Sequence, residues 1–175
     1  MMSNDQILKP LTPHQVQRYS RHIIMPTVGS NGQRKMLNSK VLIVGAGGLG
    51  SPVAIYLALA GVGTIGIVDF DTVDITNLQR QILHYDSDVG KRKVVSATET
   101  LKAYNPDVNV VNHEEPLNSD NAMEIISKYD LEGGNVAGPA PLPLDFFTVY
   151  MGASGDLMVD KGAIIKNPEQ SWFVL

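Results

Sequence analysis

"VLIVGAGGLGSP", residues 41–52, decides the fold. Apolar residues run into a cluster of glycines, and an apolar run of helical length follows from Ser51 to Ala60. "KVLIV" is apolar after its first residue, as a strand buried on both faces should be. Gly45, Gly47, Gly48 and Gly50 make the pattern G-x-G-G-x-G between that strand and that helix, the context this loop needs. Glycine lets backbone N–H groups approach phosphate oxygens, and the helix N-terminus favours negative charge. A nucleotide is therefore expected at the loop. The loop alone does not say whether it is kept as a cofactor or consumed. The plain alternative is a tight turn with no ligand.

The next strand carries an acid. "TIGIVDFD" reads as a second buried strand, and Asp69 closes it 19 residues beyond Gly50. A Rossmann unit has its ribose-binding carboxylate about 20 residues on. Asp71 and Asp74 are expected as loop acids or local caps. These features alone suggest NAD. The stretch "DITNLQRQILHYDSDVGKRK" argues otherwise, because it sets Asn77, Arg80, Gln81 and Lys93 close behind the acid. A dehydrogenase has little use for several cations near its pyrophosphate. Attack on the α-phosphate of ATP does, since charge develops on the phosphoryl oxygens and the leaving pyrophosphate. A surface salt bridge for Arg80 and a solvated helix position for Lys93 are the alternatives.

Outward from this centre, strands and helices alternate. Thr12, Pro13 and Gln15 read as a capped helix start, with the helix running through "QVQRYSRHII" and stopping before Pro26. A short helix is expected around "QRKML". "NLQRQIL" reads as a short helix or structured loop. "GKRKVVSATETLKAYNP" is an amphipathic helix with Val94, Ala97, Leu101 and Tyr104 on one face. "DVNVVNHE" is a third strand, and "SDNAMEIISKY" a helix with Met123 and Ile126 facing inward. The alternation predicts an α/β fold, with a doubly wound, Rossmann-like, mostly parallel sheet. After Asp130 a Gly/Pro-rich linker, "LEGGNVAGPAPLPL", replaces the alternation. "DFFTVYMG" is a candidate strand, the remainder has no clear period, and Trp172 and Phe173 read as an anchor for the tail. The expected organisation is a nucleotide-binding unit over 1–130 and a divergent tail over 131–175.

Composition narrows the classes. The 175 residues, 43% of them hydrophobic, suffice for one domain with a real core. A net charge of −4 argues against an electrostatic nucleic-acid binder, and "KRK" at 91–93 is too short to change that. The N-terminal stretch has no apolar h-region, and no apolar run reaches the roughly 20 residues a bilayer requires. A cytoplasmic protein without membrane contact is the expectation. There is no cysteine, which excludes disulfides, thiolate metal sites and a cysteine nucleophile from this chain. His14, His22, His84 and His113 lack metal-ligand spacing and read as surface or packing residues. No residue is assigned to a metal. Tyr19 and Tyr85 are read as packing residues rather than nucleotide contacts.

Residues 12–130 resemble the MoeB/ThiF family, relatives of the ubiquitin-activating enzymes. "QRYSRHIIMPTVGSNGQ", the glycine-loop segment through "GIVDFD", "NLQRQIL" and "DVGKRKV" carry the resemblance. It implies binding of ATP with Mg²⁺ and adenylation of the C-terminal Gly-Gly carboxylate of a ubiquitin-fold protein. In the bacterial branch that partner is a MoaD-like or ThiS-like sulfur carrier of molybdopterin or thiamine synthesis. Gly48 would then lie against the phosphates and Asp69 would bind the ribose. Asn77, Arg80 and Lys93 would contact phosphates and stabilise the transition state. Arg21 matches an arginine that reaches into the partner subunit's ATP site, which implies a homodimer.

The resemblance stops at Tyr129-Asp130. Members continue with a strand and a D-x-T-D-N motif whose aspartates help bind Mg²⁺ and the adenine side of ATP. The family's zinc site, two C-x-x-C pairs, is absent as well. A truncated or rearranged relative with a replacement tail is the expectation; a genuine alternative closure is the other reading. A truncated sheet would expose apolar surface. Two further functions stay open, namely a nucleotide-binding or dimerisation module that does not catalyse, and an NAD-dependent oxidoreductase.

Overall fold

The computed structural model describes residues 8–130 in full and, as backbone, residues 147–151 and 157–164. In chain order the elements are α1 (Pro13–Arg18), α2 (Ser20–Ile23), α3 (Gly29–Asn38), β1 (Lys40–Val44), α4 (Gly50–Ala60), β2 (Thr64–Val68), α5 (Lys93–Tyr104), β3 (Asn109–His113), α6 (Ala122–Ile126), β4 (Phe147–Met151) and β5 (Leu157–Ile164). Two 3₁₀ turns, Ile75–Asn77 and Asp86–Asp88, lie between β2 and α5.

β1, β2 and β3 form a parallel sheet in that order, with Val41 opposite Ile65 and Ile65 opposite Val110. Side chains alternate across it, so each face has its own core. On one face Ile43, Ile65 and Ile67 pack against Ala54 and Ala58 of α4 and Val94, Ala97 and Leu101 of α5. On the other, Leu42 and Val68 meet Ile125 and Tyr129 at the end of the α6 segment. Helices thus cover both faces, the expected doubly wound α/β arrangement. Each fully buried Ile or Leu contributes about 1.5–3 kcal/mol through burial.

Strand order fixes where a ligand belongs. From β1 the chain steps through β2 to β3, then returns past α6 to the other edge of β1. There the Asp130 N–H donates to the Lys40 carbonyl at 2.9 Å, and the Asp130 carboxylate accepts from the Lys40 N–H at 2.8 Å. The direction of winding therefore reverses at β1. Open α/β sheets bind ligands beyond the carboxyl ends of their strands at such a reversal. The segment leaving the carboxyl end of β1 is the glycine loop.

Several local expectations need correction. The first helix is two: Tyr19 breaks it with φ −101° and ψ 17°, because its side chain is drawn into the core, where Asn105 donates to its hydroxyl at 2.9 Å. The capping box at Thr12 and Gln15 forms as expected. The helix around "QRKML" starts earlier, at Gly29. In α6 the inward face is one residue out of phase, since Ala122 and Ile125 are buried while Met123 is 65% exposed. Tyr104 lies at the frayed end of its face and is exposed, unlike Val94, Ala97 and Leu101. "DFFTVYMG" contains β4 as expected. The tail read as aperiodic forms β5, because pairing with β4 supplies the order that periodicity lacks. The Gly/Pro-rich linker, Trp172 and Phe173 lie outside the described residues. Among the described residues no helix is long and apolar enough to cross a membrane.

Asn105 joins three elements. It is fully buried after α5, and its amide donates to the Ala58 carbonyl at 2.7 Å as well as to Tyr19. Asn105→Ala removes the amide donor from the buried Tyr19 hydroxyl and leaves the Ala58 carbonyl with the Gly61 N–H alone. The expected loss is about 1–3 kcal/mol of unfolding free energy, measured by urea titration.

Candidate functional site

The site starts with the shape of the glycine loop. Gly45 has φ +96°, a conformation side chains resist. Next, the Ala46 peptide is held from two directions. Its N–H donates to Asp69 Oδ2 at 2.8 Å, and its carbonyl lies 3.0 Å from His84 Nε2. Gly50 then brings α4 against the end of β1, where a Cβ would sit 1.9 Å from the Gly45 carbonyl oxygen. Among the described residues, the N–H groups of Gly47, Gly48, Leu49 and Gly50 have no hydrogen-bond acceptor. Four free donors at a helix N-terminus suit an anion.

Side chains from the following segment line this loop. Arg80 lies over Gly48, with its Cγ and Cδ 3.5 Å from where a Cβ would stand. It is exposed, makes no salt bridge among the described residues, and its guanidinium donates to the Thr76 carbonyl at 3.1 Å. Gln81 is buried next to Gly47, and its Oε1 has no partner among the described residues. Ser51 Oγ, on the first turn of α4, is likewise buried and unpartnered. Asn77 closes the 3₁₀ turn that presents both residues. Its Oδ1 accepts from the Asp74 N–H at 3.2 Å, while Asp74 caps the same turn, as expected of a local cap. The Thr76 hydroxyl and N–H hold the Asp74 carboxyl below its ordinary pKa.

Lys93 is 5% exposed, so it is not the solvated helix residue of the alternative reading. Its ammonium donates to Asp71 Oδ2 at 2.9 Å, and Asp71 is half-exposed. The Asp71 N–H donates to Asp69 Oδ1 at 2.8 Å. Glycine loop, Asp69, Asp71 and Lys93 are thus one connected set. Lys91, Arg92 and Lys93 open α5, where the helix dipole favours acids rather than cations. A cation buried against the local field, with a partner partly in water, is available to a negative ligand.

Arg21 stands apart. It is exposed on α2, and among the described residues no hydrogen bond or salt bridge ties it to the loop. Tyr19 is a core residue and Tyr85 is exposed.

The profile of the ThiF family matches residues 19–131. The chain belongs to the ThiF family. Relatives are about half identical over this segment. The probable adenylyltransferase/sulfurtransferase MoeZ of Mycobacterium tuberculosis is 52% identical over 121 residues, covering 69% of this chain and 31% of the relative. The adenylyltransferase and sulfurtransferase MOCS3 of Dictyostelium discoideum is 50% identical over 121 residues, covering 69% and 28%. The chain therefore spans about a third of the length of these relatives. Solved structures agree on the fold. PaaA superposes with a TM-score of 0.64 at 35% identity, covering 74% of this chain and 43% of PaaA. Escherichia coli MccB with ATP gives 0.56 at 35%, covering 62% and 34%. The match to the ThiF profile ends one residue after Asp130, whose backbone begins the return to the edge of β1.

Behind the loop lies a set of residues that sequence reading missed. His84, read as a surface or packing histidine, is buried with both ring nitrogens engaged. Its Nδ1 lies 2.8 Å from Ser96 Oγ, and Ser96 Oγ donates to Asp88 Oδ2 at 2.8 Å. Asp88 also accepts from the Tyr85 N–H and from Lys91. Burial pushes the His84 imidazole below its ordinary pKa and Lys93 adds to this, while the Ala46 carbonyl, Asp69 and Asp88 pull it back. No pattern in the sequence marks this set, because the segment that carries His84 and Asp88 and the helix that carries Ser96 meet behind the loop only in the fold.

Asp88 makes stability depend on pH. Burial raises its pKa, but hydrogen bonds from Lys91, Tyr85 and Ser96 outweigh burial and leave the carboxyl below its ordinary value. A depressed folded-state pKa gives stability that is complete above the unfolded value, about 3.9. That stability is lost as pH falls through the folded value. Below about pH 4 the wild type should therefore lose unfolding free energy more steeply than Asp88→Asn, measured by urea titration at several pH values.

Proposed function

We propose that this unit binds ATP at the glycine loop and adenylates the C-terminal carboxylate of a ubiquitin-fold sulfur carrier of the MoaD-like or ThiS-like kind. The observation that carries this reading is a glycine loop with four N–H groups free among the described residues, lined by Arg80 and Gln81 and joined through Asp69 and Asp71 to the buried Lys93. The names of MoeZ and MOCS3 as adenylyltransferases and the ATP-bound MccB structure support it.

The chemistry follows from charge. A carboxylate oxygen of the carrier attacks the α-phosphorus of ATP, the bond to the β-phosphate oxygen breaks, and pyrophosphate leaves. The product is a mixed anhydride, which a sulfur nucleophile can open. No enzyme nucleophile is required, so a chain without cysteine can perform the step by positioning and charge stabilisation. Loop N–H groups would hold phosphate oxygens, and Arg80 and Lys93 would meet the charge on the transferring and leaving groups. Asp69 already accepts two backbone N–H groups; the remaining lone pairs of its oxygens would serve the ribose. Arg21, exposed on α2, would act across a homodimer rather than at its own loop.

Mg²⁺ accompanies ATP and is bound through one or two carboxylates together with phosphates. Among the described residues no cluster of three acids or histidines exists to hold it. The nearest carboxylates, Asp69 and Asp71, are engaged by N–H groups and by Lys93. Among the described residues these carboxylates do not form a protein-built cation site.

Calorimetry with competing nucleotides tests the choice of ligand. ATP should bind and NADH should not displace it. Tight NADH binding unaffected by ATP would instead mark an oxidoreductase, the reading that the glycine pattern and Asp69 alone would favour.

A further inference from the structure

We propose that His84 is a positioning residue of the phosphate loop, holding the Ala46 peptide so that the Gly47 N–H faces the nucleotide. This rests on the reading of the loop as the ATP cradle. It adds a residue from outside the loop and outside the lining cations.

The argument is geometric. The Ala46–Gly47 peptide is planar and trans, so its carbonyl and its N–H point in opposite directions. His84 Nε2 lies 3.0 Å from the Ala46 oxygen, on the buried side of the loop. Drawing the carbonyl inward turns the Gly47 N–H outward, where among the described residues nothing accepts it. Asp69 Oδ2 fixes the preceding peptide through the Ala46 N–H. Together the two side chains leave the peptide no freedom to rotate. A glycine-flanked loop without them would sample other orientations, since glycine restrains its backbone least.

The ring is itself held in one form. A carbonyl oxygen can only accept, so Nε2 must carry a hydrogen to bond Ala46. On the other side the Ser96 hydroxyl is 2.8 Å from Nδ1 and 2.8 Å from Asp88 Oδ2. The hydroxyl has one hydrogen, so in the neutral ring it leaves Asp88, which keeps its bonds from the Tyr85 N–H and Lys91, and turns to Nδ1, stabilising the Nε2–H tautomer. In the charged ring Nδ1–H donates to Ser96, whose hydrogen turns to Asp88. The charged groups facing the ring are Asp88, from the turn before α5, Lys93 on α5 and Asp69 at the end of β2. In both states the bond to Ala46 persists, so the loop keeps its shape as the ring titrates.

The test uses the whole chain, uniformly labelled with ¹⁵N, and ATP as the probe. In the free wild type, NMR should show a neutral His84 ring with its hydrogen on Nε2. ATP should shift the Gly47 amide resonance. His84→Phe keeps the ring volume but lacks the donor, and should weaken ATP binding about tenfold, the worth of one lost hydrogen bond with its unpaired acceptor. It should also abolish the Gly47 shift. His84→Gln restores an N–H donor and should recover affinity to within about threefold. If His84→Phe does not fold, the tautomer and His84→Gln still decide. An Nδ1–H tautomer in the wild type overturns the proposal. So does a folded His84→Phe with wild-type affinity and an unchanged Gly47 shift, or a folded His84→Gln that binds no better than His84→Phe. Failure of the wild type to bind ATP overturns the nucleotide reading instead, and the tautomer then decides whether the loop is held as described.

Discussion

Lys93→Met should lower carrier-dependent exchange of pyrophosphate into ATP by about 10²–10³-fold, the usual effect of removing one preorganised donor at developing charge. Structural cost does not explain such a loss. The partner of Lys93, Asp71, is half-exposed, so it returns to water when the ammonium is removed. Methionine fills the same buried space at the start of α5 without a charge. The ammonium also sits at a helix N-terminus, where the dipole opposes it, and removing it relieves that repulsion. Stability should thus change little while turnover collapses. The KM for ATP should rise less than kcat falls, because charge grows most in the transition state. A Lys93→Met protein with wild-type exchange would place the ammonium in a structural role.

Gly50→Ala has the second large effect. The new Cβ would stand 1.9 Å from the Gly45 carbonyl oxygen and 3.0 Å from its carbon. Both are backbone atoms at the end of β1, so no side chain can rotate away. Either α4 moves outward or the loop reshapes, and each displaces the free N–H groups. The expected cost is about 3 kcal/mol, the upper part of the usual range for overpacking. Exchange by the fraction that remains folded falls about 100-fold, as misplacement of reacting groups by about 1 Å does. Urea titration and exchange at low temperature separate the two effects. A variant as stable and as active as wild type would mean that the helix does not approach the strand as described.

The two variants probe what the sequence made legible and what it did not. The glycine loop, its flanking strand and helix and the acid after β2 all lie within one stretch, and each has a local reason for its residue type. Buried strands and the α4–α5 face were readable for the same reason: Ile43, Ile67, Val94 and Leu101 obey the periods of their own elements. Legibility fails where one residue answers to distant partners. Tyr19 breaks a helical pattern because Asn105, 86 residues away, holds its hydroxyl. Ala122 and Ile125 face inward in place of Met123 and Ile126 because α6 has only five residues, too few for a period to fix its phase. At the site, the sequence set Asn77, Arg80, Gln81 and Lys93 close behind the acid, and the family resemblance implied phosphate contacts for Gly48, Asn77, Arg80 and Lys93. Geometry shows Arg80 over Gly48, Gln81 at Gly47 and Lys93 linked to the loop through Asp71 and Asp69. The brace of His84, Ser96 and Asp88 had no sequence signature, because hydrogen-bond partners across 38 and 12 residues leave no local pattern.

The proposed activity of this chain is the use of ATP as a reactant to activate a carrier's carboxylate. Exchange of labelled pyrophosphate into ATP tests it most directly, using the 175-residue chain and a panel of MoaD-like and ThiS-like carriers. Exchange should appear with at least one carrier, vanish when the carrier's terminal glycine is removed, and fall about 10²–10³-fold in Lys93→Met. Folded protein that binds ATP but supports no exchange with any carrier would contradict the claim and leave a nucleotide-binding module in its place.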